Sequence, residues 1–418
     1  MTQMQCKYPI RFLYGGETGS FSKKLFGNLS FFESKYATKS PILGETGIPD
    51  VLLDFNDGLR LQIPKGNWHV KISDYSSNFV FIDEDILTGA TLISVEKFFV
   101  HWEITLALNG VICFYHRFDP TEQHVHFMFP NSAMGDNIIL FPYMRAFKNF
   151  YNCQVSCTVP KYMQDIIKLY YTDIKLSDDI SDENYATYYM VGQNFNEPIT
   201  STENIRAIPL KKFGHSILGW HIKIDEKVIF HPTKERQIKE PYVCIAVQAS
   251  GTPKTWLNPN GWNFVVKYLK ELGYRVLCID KENEAANYGN VVKVPEGAED
   301  FTGDIPLIER INLLAYADFF IGLSSGLAWL AWSTNTPVIM ISGITKPWHE
   351  FKTPYRIYNN LVCNGCFNDM RYNYKEIFYC PRYKETDQIY ECSKKISAQQ
   401  VIDAIDRLIA DVKNNLKR

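Results

Sequence analysis

Residues 321–341 read IGLSSGLAWLAWSTNTPVIMI. An apolar strand ends in Gly322-Leu323-Ser324-Ser325-Gly326, a segment rich in Ala and Trp follows, and PVIMI supplies the next strand. A Gly/Ser turn that opens a helix leaves backbone N–H groups and the positive end of the helix dipole facing outward. Gly322, Leu323, Ser324, Ser325 and Gly326 are therefore candidate diphosphate contacts. Close packing alone is the competing explanation for Gly326 and Ala328.

Working outward, the same alternation of short strand and longer helix starts near residue 241. YVCIAVQ is followed by a Gly/Pro/Asn loop, a helix from Gly261 to Leu272 and the strand RVLCID. An earlier copy begins near residue 123, with HVHFMF as strand, PNSAMG as loop, DNIILFPYMRAFKNF as helix, CQVSCTV as strand, and a further strand at Tyr185–Val191. Two such copies predict two Rossmann-like lobes across a crevice, over 121–238 and 239–355. Ligands of such sheets lie beyond the carboxyl ends of the strands. That directs attention to Asp136 in the loop 132–137, and to Lys254 and Trp256 in QASGTPKTWLNPNGW (248–262). Asp280 and Glu282, at a strand end, are ribose or nucleobase candidates. Asp136 is alternatively a helix cap, and Trp256 and Trp262 alternatively anchor their loop to the core.

Residues 1–120 are rich in Gly, aromatic and β-branched residues and are expected to form an all-β, barrel-like domain or a sandwich. Within WEITLALNGVICFYHRF (102–118), Asn109-Gly110 predicts a type I′ hairpin turn. At the other end, Val401, Ile405, Leu408, Ile409 and Val412 recur at helical spacing in 396–418. With 44 Lys+Arg against 46 Asp+Glu, no field favours nucleic acid or an anionic membrane. An apolar run of about 18 residues, enough for a membrane span, is missing from the sequence, as is a signal-peptide core. The chain is thus expected in the cytoplasm, where cysteines stay thiols or bind metal.

Four of the ten cysteines cluster: Cys363-Asn364-Gly365-Cys366, then Cys380 after thirteen residues and Cys392 after eleven more. A Cys-x-x-Cys knuckle with two later cysteines suits one tetrahedral ion in an insertion, 356–395, too poor in apolar residues to fold on its own core. Iron and zinc fit four thiolates equally, and ordinary buried thiols or a redox pair are the alternative. With four protein ligands the site is expected to be structural. The finger is expected to leave the donor pocket independent of it and to serve assembly.

The segments SAMGDNIILFPYMRAF, PKTWLNPNGW and GLSSGLAWLAWSTNTPVIMI together resemble the lipopolysaccharide heptosyltransferases of the GT-B fold. That resemblance implies an ADP-heptose donor, Asp136 as base, Lys254 at the diphosphate, and phosphates on Gly322-Leu323-Ser324. The chain departs from that family around the turn, with Phe320 and Ile321 before it and Ser325 after it. The N-terminal β region and the cysteine finger narrow the resemblance to the bacterial autotransporter heptosyltransferases, over essentially the whole chain. This implies heptose transfer to Ser/Thr hydroxyls of an autotransporter adhesin, one structural Fe3+ in the finger with zinc as the alternative, and a homo-oligomer, a dodecamer. The narrower resemblance also makes Asp119 of HRFDPTEQH the base, slightly ahead of Asp136. Two rival readings are a lipopolysaccharide core heptosyltransferase and a noncatalytic metal-stapled scaffold.

Overall fold

The computed structural model describes residues 10, 12–15, 42, 44–130, 133–177, 184–191, 199–224, 228–287 and 290–415. Near the N-terminus, strands Phe12–Gly15, Ala90–Ser94, Arg60–Ile63 and Leu52–Asp54 form one antiparallel sheet, in that order. Strands Phe79–Ile86, Trp68–Asp74, Trp102–Leu108 and Val111–Arg117 form a second. Asn109 (φ 53°) and Gly110 (φ 79°) make the left-handed pair that the hairpin requires. Leu61, Leu92, Val70, Ile104 and Leu106 are fully buried in one continuous core. The described strands give two open sheets, where a closed barrel was one of two expectations. The outer strands Phe79–Ile86 and Val111–Arg117 are mostly exposed, so nothing among the described residues closes those edges.

The first α/β lobe is a parallel sheet ordered Lys175–Leu176, Gln154–Thr158, His124–Met128, Ala186–Tyr189. Its helix spans Met134–Tyr151, buries Phe141, Met144 and Phe147, and ends at Asn152 in the left-handed region. Because the helix starts at Met134 without a side-chain cap, Asp136 lies within its first turn and is not the cap. Asn131 and Ser132, part of the loop singled out by sequence, lie outside the described residues.

The second lobe has six parallel strands ordered Glu299–Asp300, Arg275–Cys278, Tyr242–Ile245, Phe320–Leu323, Val338–Ile341, Arg356–Ile357. Numbered along the lobe this is the 3-2-1-4-5-6 order of a dinucleotide-binding sheet, whose switch point falls between Tyr242–Ile245 and Phe320–Leu323. The loops leaving those two strands are the ones that carry Lys254 and Ser324–Ser325. A small hairpin, Glu284–Asn287 with Asn290–Lys293, interrupts the unit. Arg356–Ile357 pairs with the sheet, so the cysteine-rich insertion begins beyond the limit expected at 355. The final helix, Ala398–Asn415, buries Val401, Ala404, Ile405 and Leu408; Val412 is exposed, so its apolar stripe ends a turn early. Among the described residues no helix is long and apolar enough to cross a membrane.

Candidate active site

The two lobes meet through their helix starts. A Cβ on Gly135 would lie 2.5 Å from the Trp329 ring, and one on Gly326 would lie 2.7 Å from Met134. Only hydrogen at both positions allows helix Met134–Tyr151 to approach helix Gly326–Ser333 this closely. The contact brings Asp136 from the first lobe to the same cleft as Ser324, Ser325 and Gly326 from the second. This cleft, about 670 Å³, is also lined by Lys254, Gln248, Asp280 and His349.

Lys254 is half-buried; its backbone N–H donates to the Gly251 carbonyl (3.0 Å), but its ammonium has neither a hydrogen-bond nor an ion-pair partner among the described residues. A cation placed so in a cleft, beside the N-terminus of Gly326–Ser333, suits a polyanion. Asp136 is half-buried, and its charge raises the pKa of Tyr162 and Tyr374 after the larger effect of burial on each. The carboxylate is therefore close enough to be felt by a phenol of the first lobe and by one of the cysteine finger.

Several other sequence candidates support the cleft without lining it. Trp256 is buried in a T-shaped contact with Trp262 (5.1 Å) and donates its indole N–H to the Ile396 carbonyl at 2.9 Å. It anchors the loop that presents Lys254 and is not a pocket wall, which corrects its assignment as a substrate contact. Gly322 and Leu323 are buried in the strand, and a Cβ on Gly322 would strike the Phe320 ring at 2.5 Å. Asp280 does line the cleft, but its carboxylate accepts the backbone N–H groups of Val247 (2.7 Å) and Gln248 (3.2 Å). Burial pushes its carboxyl up to about 6 despite those bonds. Glu282 has an exposed side chain, and its carbonyl accepts from Gln248 Nε2 at 2.7 Å.

Asp119 lies elsewhere. It is exposed, its N–H donates to Tyr185 Oη (3.0 Å), its carboxylate accepts from the Thr121 backbone (3.0 Å), and it is not among the residues lining the cleft. Thr121 holds its carboxyl below the usual range.

Sequence reasoning missed the segment behind the turn. Glu350 is buried and accepts from Ser324 Oγ and Arg356 Nη1, and from Thr345 Oγ1 at 3.0 Å. Burial pushes its carboxyl up, but Arg356 and the Ser324 hydrogen bond outweigh burial and hold it below the usual range. Ser324 is thus the turn's tie to a buried ion pair. The one sequence signal was a Trp-His-Glu run, 348–350, directly after a Gly/Pro loop, without a periodic pattern to mark it.

The finger folds back onto the lobes. Gly365 N–H donates to Gly343 O (2.8 Å) and Phe367 N–H to Ile344 O (3.0 Å). From the other side Arg206, almost fully buried, donates to the carbonyls of Phe367 (2.6 Å), Asp369 (2.7 Å) and Tyr372 (2.9 Å). As a result Phe367, Tyr374 and Phe378 of the finger line the cleft. The expectation that the pocket would be independent of the finger is therefore incorrect.

Burial pushes Cys366 and Cys392 up to about 12, and the other three finger cysteines add to the rise at Cys392. The four thiols of Cys363, Cys366, Cys380 and Cys392 thus share one neighbourhood, with Gly365 (φ 70°) at the knuckle and Tyr390 N–H directed at Cys380 Sγ (3.4 Å). Four sulfurs with an N–H donor to one of them fit a thiophilic ion. Among the described residues, however, no group of three or more His, Cys, Asp or Glu is drawn together as a formed metal site. None of the nine described cysteines is in a disulfide.

Residues 45–110 match the N-terminal domain of glycosyltransferase TibC, and residues 217–375 match glycosyltransferase family 9 (heptosyltransferase). The autotransporter heptosyltransferase BAHTCr of Citrobacter rodentium is 39% identical over 380 residues, covering 88% of this chain and 91% of that protein. The inactive autotransporter heptosyltransferase BimC of Burkholderia thailandensis is 29% identical over 85% of each chain. The crystal structure of TibC from enterotoxigenic E. coli, an iron-containing dodecameric glycosyltransferase, superposes with a TM-score of 0.83 at 35% identity, covering 90% of this chain and all of that one. TibC in complex with ADP-D-beta-D-heptose gives 0.82 at 36% identity, covering 89% and 98%.

Proposed function

The chain belongs to the autotransporter heptosyltransferases, and from that premise we propose that it moves heptose from ADP-heptose to Ser or Thr hydroxyls of an autotransporter adhesin. It is a glycosyltransferase. The observation that carries the reading is the pairing, in one cleft, of Asp136 from one lobe with unpartnered Lys254 and the start of helix Gly326–Ser333 from the other.

In the proposed reaction the acceptor hydroxyl attacks the anomeric carbon while Asp136 takes its proton, and the bond from that carbon to the ADP oxygen breaks. Negative charge grows on the departing diphosphate. Lys254 and the free N–H groups of the helix start stabilise it, so no divalent ion is needed there. Asp136 is preferred over Asp119 as base because Asp136 lines the cleft that holds the cation. Ser324 and Glu350 keep the turn in position, and Asp280 keeps the Gln248 loop in position.

Cys363, Cys366, Cys380 and Cys392 would hold one structural iron, or zinc in its place, whose chemistry is to cross-link the finger. Iron and a dodecameric assembly are proposed here because TibC has both. The reaction is proposed to occur in the cytoplasm, with the described strands before residue 120 as the β domain, 121–238 as the acceptor lobe, 239–357 as the donor lobe and the finger after them.

The test is incubation of the purified protein with ADP-heptose and an autotransporter passenger fragment, read by intact-mass and peptide spectrometry. Heptose on Ser or Thr is expected. A protein that binds ADP-heptose without transferring it would refute the proposal and align the chain with the inactive relative; one that binds no ADP at all would leave a scaffold.

A further inference from the structure

We infer that His349 reads the donor sugar: its Nε2 accepts a hydrogen bond from a hydroxyl of the heptose attached to the diphosphate. The inference rests on the reading of the cleft as an ADP-heptose site. His349 lines that cleft and is 3% exposed. Its Nδ1 lies 3.1 Å from the Ile208 carbonyl, and its own carbonyl accepts from Leu210 N–H at 2.7 Å. The Phe367 ring packs against it at 5.0 Å and the Trp348 ring at 5.7 Å. Ring and backbone are both pinned.

A carbonyl can only accept, so the proton of the imidazole is on Nδ1, and Nε2 presents a lone pair. Nε2 has no partner among the described residues, and it is not sealed away from the cleft. Burial lowers the imidazole to about pH 4; Glu350 opposes this, while Lys254 and Arg356 reinforce it, so the ring stays neutral in the physiological range.

A neutral acceptor at this point is unlike its neighbours. The Lys254 ammonium and the helix N–H groups have protons to give, which matches phosphate oxygens. An Nε2 lone pair cannot serve a phosphate and needs an O–H or N–H donor. Ribose and the adenine amine are the other donors in the nucleotide, but Asp280, Lys281 and Ala285 line the cleft from the part of the sheet where a nucleoside belongs. His349 instead joins Lys254 to the Ile205, Leu210 and Phe367 wall, toward the first lobe, where the transferred sugar has to lie.

The experiment is calorimetric titration of the full-length protein with ADP and with ADP-heptose, for wild type, His349→Asn and His349→Gln. Asparagine keeps an N–H for the Ile208 carbonyl and loses the acceptor at the Nε2 position; glutamine does the reverse. The expected result is ADP affinity within about twofold of wild type in His349→Asn, ADP-heptose affinity reduced about tenfold, and much of that loss restored in His349→Gln. Equal losses for both ligands, or no loss for ADP-heptose, would overturn the inference, as would an effect confined to the KM of the protein acceptor. A wild type that binds ADP but not ADP-heptose would instead remove the reading of the cleft on which the inference depends.

Discussion

Removing the Lys254 ammonium by Lys254→Ala is expected to weaken ADP binding by one to two orders of magnitude. Two unit charges about 4 Å apart interact by roughly 4 kcal/mol at an effective dielectric of about 20. Lys254 is half-buried, so water competes for it before the ligand arrives, and about half of that energy is the net gain. A contribution of about 2 kcal/mol agrees with the roughly 1.5–3 kcal/mol typical of hydrogen bonds to charged groups, and corresponds to about 30-fold in Kd. No carboxylate among the described residues pairs with Lys254, so its loss leaves no orphaned counter-charge, and the folded state should be little affected. Calorimetry with ADP and AMP isolates the contact. AMP lacks the β-phosphate and should lose less affinity than ADP in the variant. An ADP Kd within threefold of wild type, or equal losses for ADP and AMP, would refute the assignment of Lys254 to the diphosphate.

Asp136→Asn should lower kcat by about 10²–10⁴ with ADP binding retained, whereas Asp119→Asn should transfer at close to the wild-type rate; the reverse pattern would move the base to Asp119. Wild type is expected to carry about one metal per chain, and a metal-free wild type would refute the four-thiolate site. Cys380→Ser should lose that metal, read by elemental analysis. Because Phe367, Tyr374 and Phe378 line the cleft, it should also weaken ADP-heptose binding several-fold; an intact donor affinity in the metal-free variant would show that the finger wall does not depend on the ion. Asp280 has its folded-state carboxyl raised from 3.8 to about 6, so the folded protein holds that proton more tightly than the unfolded chain. Its stabilising contribution is complete below pH 3.8 and is lost as pH rises through about 6, by about 3 kcal/mol in all. Unfolding rates of wild type and Asp280→Asn compared between pH 4.5 and 7 should show wild type losing ground as pH rises; parallel profiles would contradict the buried, proton-holding carboxyl.

The sequence by itself determined what depends on neighbours along the chain. The period of the apolar residues fixed the alternation of strand and helix, Asn109-Gly110 fixed a hairpin by its positive φ angles, and the Gly/Ser turn announced a helix start, which lies at the cleft. Cysteine spacing announced one shared neighbourhood for four thiols. Lys254 was legible because a loop after a parallel strand has few other places to point. The tertiary structure decided what depends on residues far apart in the chain. Asp119 and Asp136 look alike as acidic residues beside turns, and only the glycine-mediated contact of Gly135 with Trp329 carries one of them into the cleft with Lys254. Trp256 could have walled a pocket or filled a core, and a carbonyl 140 positions away, at Ile396, settled it. The finger reads as a separate insertion because many of its contacts with the lobes end on its own or the lobes' backbone groups. The carbonyls that Arg206 gathers and the N–H groups that reach Gly343 and Ile344 are present in every sequence and mark none. His349 was hidden for the same reason: its tautomer and its free nitrogen are set by a carbonyl at Ile208, and no pattern of side chains encodes where a distant backbone oxygen will lie.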